Sequence, residues 1–281
     1  MPYLNRACGA KIFYETKGPK TGIPILLLAP GGMRSSIVKW GMSPYNPWVR
    51  LSSKEGGASK FRLIAMDQRF AGRSSGTVKR GDGWHTFMSD QLALLDHLRI
   101  PKCHLVGSCI GPSYALQLMK TTPDRFGRCV MLQPIGLAKH TTEPGEAWEG
   151  MNSDATWDWA GSWAEEMIET KKCNDHSLLK ELYDNMFAGQ PVGDFVFSIT
   201  RQDAAKIQQP LLIFMGKDIY HPSETAREIS RIVKNTELVE VWRDVGPEKI
   251  NETAAKIASF LLADTLNDSQ NKNRFCNLIC C

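Results

Sequence analysis

Short apolar, β-rich runs recur along this chain with helix-patterned text between them, and that alternation constrains the fold more than any other feature. The runs are GAKIFYET (9–16), IPILLLA (23–29), FRLIAMD (61–67), KCHLVG (102–107), RCVMLQP (128–134), PLLIFMG (210–216) and ELVEVW (237–242). IPILLLA is apolar without a break, as a strand buried on both faces requires. HTFMSDQLALLDHLRI (85–100), PSYALQLMKTT (112–122), SETAREISRIV (223–233) and GPEKINETAAKIASFLLADTL (246–266) carry apolar residues at helical spacing. In the last of these, Pro247 stands at a natural helix start. The pattern predicts an α/β fold with a mostly parallel sheet and helices on both faces.

One segment breaks the alternation. Residues 137–206 hold Trp148, Trp157, Trp159 and Trp163 and read as two or more amphipathic helices with few strand signals. The excursion is too long for a crossover loop. It reads as a helical cap (137–206) inserted into a core made of 1–136 and 207–265. Residues 266–281 read as a flexible, mostly polar tail.

The chain has 281 residues with a formal net charge of +4, and its Lys and Arg residues are scattered. No basic stripe with interleaved aromatics is present, which argues against a nucleic-acid partner. No run approaches the roughly 20 apolar residues of a membrane span. The N-terminal text lacks the apolar core of a signal peptide. Eight cysteines are present, none in a CxxC pair or a Cys/His cluster with zinc spacing. Cys8, Cys103, Cys109, Cys129 and Cys173 read as reduced thiols in a cytoplasmic setting, with no metal and no cofactor expected. Near the C-terminus, Cys280 and Cys281 are candidates for lipidation, which would give membrane contact. An unmodified tail is the preferred reading, because the motif is short.

The chemistry centres on HLVGSCIGPSYAL (104–116). A sharp strand-to-helix turn forces its middle residue, Cys109, into a strained conformation that exposes the side chain. Gly107 and Gly111 flank it where strand and helix pass too close for a β-carbon. The helix N-terminus favours an anion, which lowers a thiol pKa and favours the nucleophilic thiolate.

This elbow, the strand order and the cap position resemble the α/β-hydrolase fold over residues 1 to about 265. Three further motifs carry the resemblance: PGGMRSS (30–36), DQRFAGRSS (67–75) and GKDIYHP (216–222). The resemblance implies an oxyanion hole formed by the backbone N–H groups of Met33 and Ile110. It makes Gly32 a candidate pocket residue and Asp67 and Arg69 loop-holding residues. It also places Asp218 where the family keeps the triad acid.

The sequence departs from the family at the base. Where the resemblance leads one to expect a histidine after the last strand, the text is RDVGPEK, with Pro247 at that position, and no histidine follows His221. Three readings stay open. His221, on the same loop as Asp218, could act as base. His85, at a helix start, could line the pocket. The site could instead bind a ligand without turning it over. The leading expectation is hydrolysis of a small ester, lactone or thioester by Cys109, with Asp218 and His221. The alternative is a non-hydrolytic ligand-binding member of the fold. A lyase or a cofactor-free oxygenase is a third and weaker option.

Overall fold

The computed structural model describes residues 2–52, 60–136, 154–170, 173–188, 196–218, 220–243 and 246–276, with backbone alone for 154–160, 188 and 264–276. Eight strands form one sheet: β1 Tyr3–Asn5, β2 Lys11–Lys17, β3 Ile23–Leu28, β4 Phe61–Met66, β5 Cys103–Cys109, β6 Phe126–Pro134, β7 Leu211–Phe214 and β8 Thr236–Val239. Their order is β1-β2-β4-β3-β5-β6-β7-β8. The β1/β2 and β2/β4 pairs are antiparallel, and every other pair is parallel.

The central strands show why the sheet needs two covering layers. Ile25 and Leu27 pack in one apolar cluster, with Val106, Val130, Leu212, Trp242, Ile257 and Leu261. Leu26 and Leu28 pack in the other, with Leu105, Met131, Tyr114 and Ile229. Successive side chains point to opposite faces, so a continuous apolar run feeds both layers. Each fully buried Leu or Ile contributes about 1.5–3 kcal/mol.

The helices are α1 Pro47–Arg50, α2 Trp84–His97, α3 Gly111–Thr121, α4 Asp154–Glu169, α5 His176–Tyr183, α6 Arg201–Ala204, α7 Ser223–Ile232 and α8 Pro247–Cys276. α4, α5 and a one-turn π-helix, Asp184–Ala188, lie between β6 and β7, where the sequence reads as an inserted helical segment. That segment is tied to the core by polar contacts. Arg34 Nε donates to Glu166 at 2.7 Å, Gly81 N to Glu181 at 2.8 Å, and Trp84 Nε1 to the Met186 carbonyl at 2.8 Å. Trp163 is buried. Trp148, Cys280 and Cys281 lie outside the described residues, as do the side chains of Trp157 and Trp159.

Several elements differ from the sequence reading, among them the short helix α1. β1 is an added edge strand, too short to show a period of two. β8 stops at Val239 instead of reaching Trp242; beyond it Val241 is exposed, while Trp242 turns inward and donates from Nε1 to the Met215 carbonyl at 2.7 Å. α8 continues to Cys276 where a tail is expected from 266; no Pro or Gly interrupts residues 266–276. Among the described residues no helix is long and apolar enough to cross a membrane.

Candidate active site

Cys109 ends β5 with φ of 60°, in the left-handed region that a non-glycine residue adopts only where its surroundings impose it. The surroundings are visible. A β-carbon on Gly107 would lie 2.5 Å from the Gly111 carbonyl carbon, and one on Gly111 would lie 2.2 Å from the Leu28 oxygen. The strand end, the helix start and β3 therefore touch backbone to backbone. Only glycine at both positions allows the turn that presents the Cys109 side chain. The Cys109 carbonyl is held by Ile135 N at 3.1 Å.

The acid and the histidine share one tight turn after β7. Asp218 and His221 bridge each other in antiparallel fashion. His221 Nδ1 and Asp218 Oδ1 are 2.6 Å apart. The same oxygen accepts from the backbone N–H groups of Tyr220 and His221, each at 3.1 Å. Gly216 makes the turn fit, since a β-carbon there would lie 2.3 Å from the His221 carbonyl oxygen. Asp218 Oδ2 accepts from Arg243 Nη2 at 2.9 Å, and Arg243 Nη1 donates to Gln133 Oε1 at 2.5 Å.

The electrostatics follow from this packing. Burial opposes ionisation of the Cys109 thiol. The neighbouring His221 imidazole and the N–H groups of Gly31 and Ile110 outweigh burial and bring its pKa below the ordinary 9.0. Cys103 is a useful contrast: burial, only partly offset by the Leu26 backbone and the Arg125 charge, pushes its thiol up to about 12. Burial would depress the His221 pKa, but the Asp218 hydrogen bond and the Cys109 sulfur raise it to about 9. Burial raises the Asp218 pKa, yet His221 and Arg243 hold the carboxyl well below the usual carboxylate range. His221 Nε2 is buried and makes no well-aligned hydrogen bond among the described residues.

Cys109 and His221 open on one cavity of about 250 Å³, lined also by Pro30, Gly31, Gly32, Met42, Gln133, Ile135, Phe187 and Tyr220. Gly31 and Gly32 have φ of 113° and 54°, so the turn that walls the cavity requires glycines. Gly32 lies where the sequence reading puts it. Of the two expected oxyanion donors, Ile110 N–H faces the sulfur; the second N–H found there is that of Gly31, and the Met33 side chain is buried in the core.

The structure does not bring His85 to the cavity. It is exposed on the first turn of α2, near Thr86, while its neighbour Trp84 turns inward. Asp67 accepts from Ile37 N at 2.8 Å and Arg73 N at 2.9 Å, which fixes the loop after the glycine turn. Arg69 pairs with buried Asp90 through one guanidinium edge, Nε and Nη2 donating to the two carboxylate oxygens at 2.7 and 2.6 Å. Sequence reasoning missed Arg243 and Gln133, because neither belongs to a recognisable motif. Among the described residues no group of three His, Cys, Asp or Glu side chains is arranged to hold a metal ion.

Comparison with known proteins gives the same fold. The family model described as alpha/beta hydrolase fold matches residues 24–185, more than half of the chain. A Variovorax paradoxus protein described as a carbamate hydrolase, RutD, is 31% identical over 121 residues, which is 43% of this chain and 41% of that protein. The dihydrolipoyllysine-residue acetyltransferase component of an acetoin cleaving system from Pseudomonas putida is 34% identical over 82 residues, 29% of this chain and 22% of that protein. The matches thus span less than half the length of these curated relatives. Among solved structures, the N-acyl homoserine lactone degrading enzyme Est816 aligns with a TM-score of 0.60 at 22% identity, over 90% of this chain and 98% of its own. The enol-lactonase of Burkholderia xenovorans LB400 aligns with a TM-score of 0.61 at 19% identity, over 92% and 99%.

Proposed function

Given that the chain belongs to the family of the α/β-hydrolase fold, we propose that it hydrolyses a small ester, lactone or thioester with Cys109 as nucleophile. The observation that carries this reading is that Cys109 and His221 wall one small, largely apolar cavity, with Asp218 2.6 Å behind the imidazole. The names of the lactone-cleaving structural neighbours agree in substrate class.

In the proposed reaction the Cys109 thiolate attacks the acyl carbonyl, and the carbonyl oxygen takes the negative charge. Ile110 N–H and an N–H of the Gly31–Met33 turn stabilise that oxyanion. The His221 imidazolium gives its Nε2 proton to the departing alkoxide or thiolate, leaving an acyl-Cys109 thioester. Neutral His221 then takes a proton from water, and the hydroxide attacks the thioester. Collapse of the second tetrahedral intermediate expels the Cys109 thiolate and releases the acid. Asp218 holds the imidazole by Nδ1 throughout, with Nε2 towards the reaction. A thiolate already paired with imidazolium needs no separate activation step, which suits cysteine in place of serine.

The test is intact mass after incubation with p-nitrophenyl esters. An acyl adduct that forms on wild type, turns over, and is absent from Cys109→Ala supports the reading. No adduct and no turnover across short and long acyl chains overturns it. In that case the second reading, ligand binding without hydrolysis, stands. The specific observation favouring that reading is that the buried His221 Nε2 makes no hydrogen bond among the described residues.

A further inference from the structure

We propose that Gln133 recognises the substrate by donating a hydrogen bond to an oxygen in its acyl group, and that Arg243 fixes Gln133 in that role. The inference deepens the hydrolytic reading above and rests on it. Gln133 is 6% exposed and lines the cavity beside Cys109. Its Oε1 accepts from Arg243 Nη1 at 2.5 Å. A guanidinium only donates, so the oxygen end of the amide must face Arg243. What Gln133 can offer a bound molecule is therefore its NH₂ group.

The backbone at this position is unusual as well. Gln133 has φ of 42° inside β6, a strained conformation for a residue with a β-carbon. The next residue, Pro134, pairs with Cys109 across a register shift between β5 and β6. Two left-handed residues from adjacent strands thus line one cavity, one bearing the thiol and the other the amide. Pro30, Met42, Ile135 and Phe187 make much of the remaining wall apolar. An acyl group made only of hydrocarbon would leave the Gln133 NH₂ desolvated without a partner, which disfavours it. An ether, carbonyl or hydroxyl oxygen would satisfy it. Arg243 is the positioning residue, because its other arm holds Asp218 at 2.9 Å and so ties the amide to the acid.

The test compares p-nitrophenyl hexanoate with three isosteric esters whose acyl chain carries an ether oxygen at position 3, 4 or 5. In wild type, at least one oxa-ester should show a kcat/KM about tenfold above the hexanoate. Gln133→Leu and Gln133→Glu should both erase that ratio. Glu keeps the shape and a partner for Arg243 but has no proton to donate at neutral pH. Using a ratio cancels any common loss of folding or of base strength. A wild-type ratio near one for all three positions, or a preference that survives both variants, overturns the inference. If no ester acylates Cys109, the hydrolytic reading fails separately, and the amide is then read directly. The Gln133 side-chain ¹⁵N–¹H signals, assigned by their loss in Gln133→Leu, should move with an oxa-hexanamide and not with hexanamide. If they respond to neither amide, or equally to both, the inference fails.

Discussion

Arg243 donates to Oδ2 of Asp218 at 2.9 Å, and it does so from the loop that follows the last strand. The other carboxylate oxygen faces His221 Nδ1 at 2.6 Å. With both oxygens engaged, the carboxylate cannot rotate, and the imidazole it holds is fixed in turn. Arg243→Met should therefore lower kcat about tenfold with a smaller change in KM, and Arg243→Lys should recover part of the loss. Steady-state kinetics on an activated ester check this; an unchanged kcat in Arg243→Met would show that Asp218 needs no second support.

The thiolate–imidazolium pair sets a pH window. Cys109 ionises below 9.0, and His221 keeps its proton up to about 9. Iodoacetamide should alkylate Cys109 readily at neutral pH. In His221→Ala the countercharge is gone and burial remains, so the thiol pKa rises and alkylation at pH 7 slows by about tenfold or more. Ester turnover by wild type should fall as pH rises through about 9. The thiolate persists there, but the imidazolium has lost the proton it gives to the leaving group. Rates of carboxymethylation against pH decide the matter: a wild-type midpoint at or above 9.0 contradicts the pairing.

Two glycines should respond oppositely to alanine. Gly111→Ala forces a β-carbon to within 2.2 Å of the Leu28 carbonyl oxygen, and backbone cannot move aside cheaply. A loss of about 2–4 kcal/mol is expected. Gly161, within α4, has open space around it, with nothing within 4 Å of an added β-carbon; Gly161→Ala should stabilise by about 0.5–1 kcal/mol. Urea unfolding of both variants beside wild type measures the two signs.

Phe187 stands where the inserted helical segment meets the cavity. Its ring centroid lies 5.2 Å from that of Tyr183 and 5.4 Å from that of Phe197. Phe187→Ala should cost about 3 kcal/mol of stability and enlarge the cavity. The enlarged cavity should shift the preferred p-nitrophenyl ester to a longer acyl chain. A fall in stability with the same chain-length optimum would show that Phe187 packs the segment without setting substrate size.

Much of the fold is legible in the sequence because it rests on local periodicity. Unbroken apolar runs such as IPILLLA mark strands covered on both faces, and Gly-Ser-Cys-Ile-Gly between a strand and a helix marks the elbow. The candidate acid and histidine are readable through the resemblance instead: Asp218 falls where the family keeps its acid, directly after an apolar run, and His221 lies three residues on. β1 escapes notice because three residues carry no period and gain their structure only from pairing with β2. His85 illustrates a different limit. A helix start can be read from sequence, but which of two neighbours, Trp84 or His85, turns inward is settled by the packing of α2 against α3 and the inserted segment.

Sequence alone therefore determined the layered α/β architecture, the strained position of Cys109 and the glycines around it, since each follows from steric rules within a few residues. Tertiary structure alone decided the company that Cys109 keeps. Arg243 lies 25 residues from Asp218 and 110 from Gln133, and no motif links them. They meet because parallel strands deliver all their following loops to the same end of the sheet, where a guanidinium can bridge groups that the chain holds far apart.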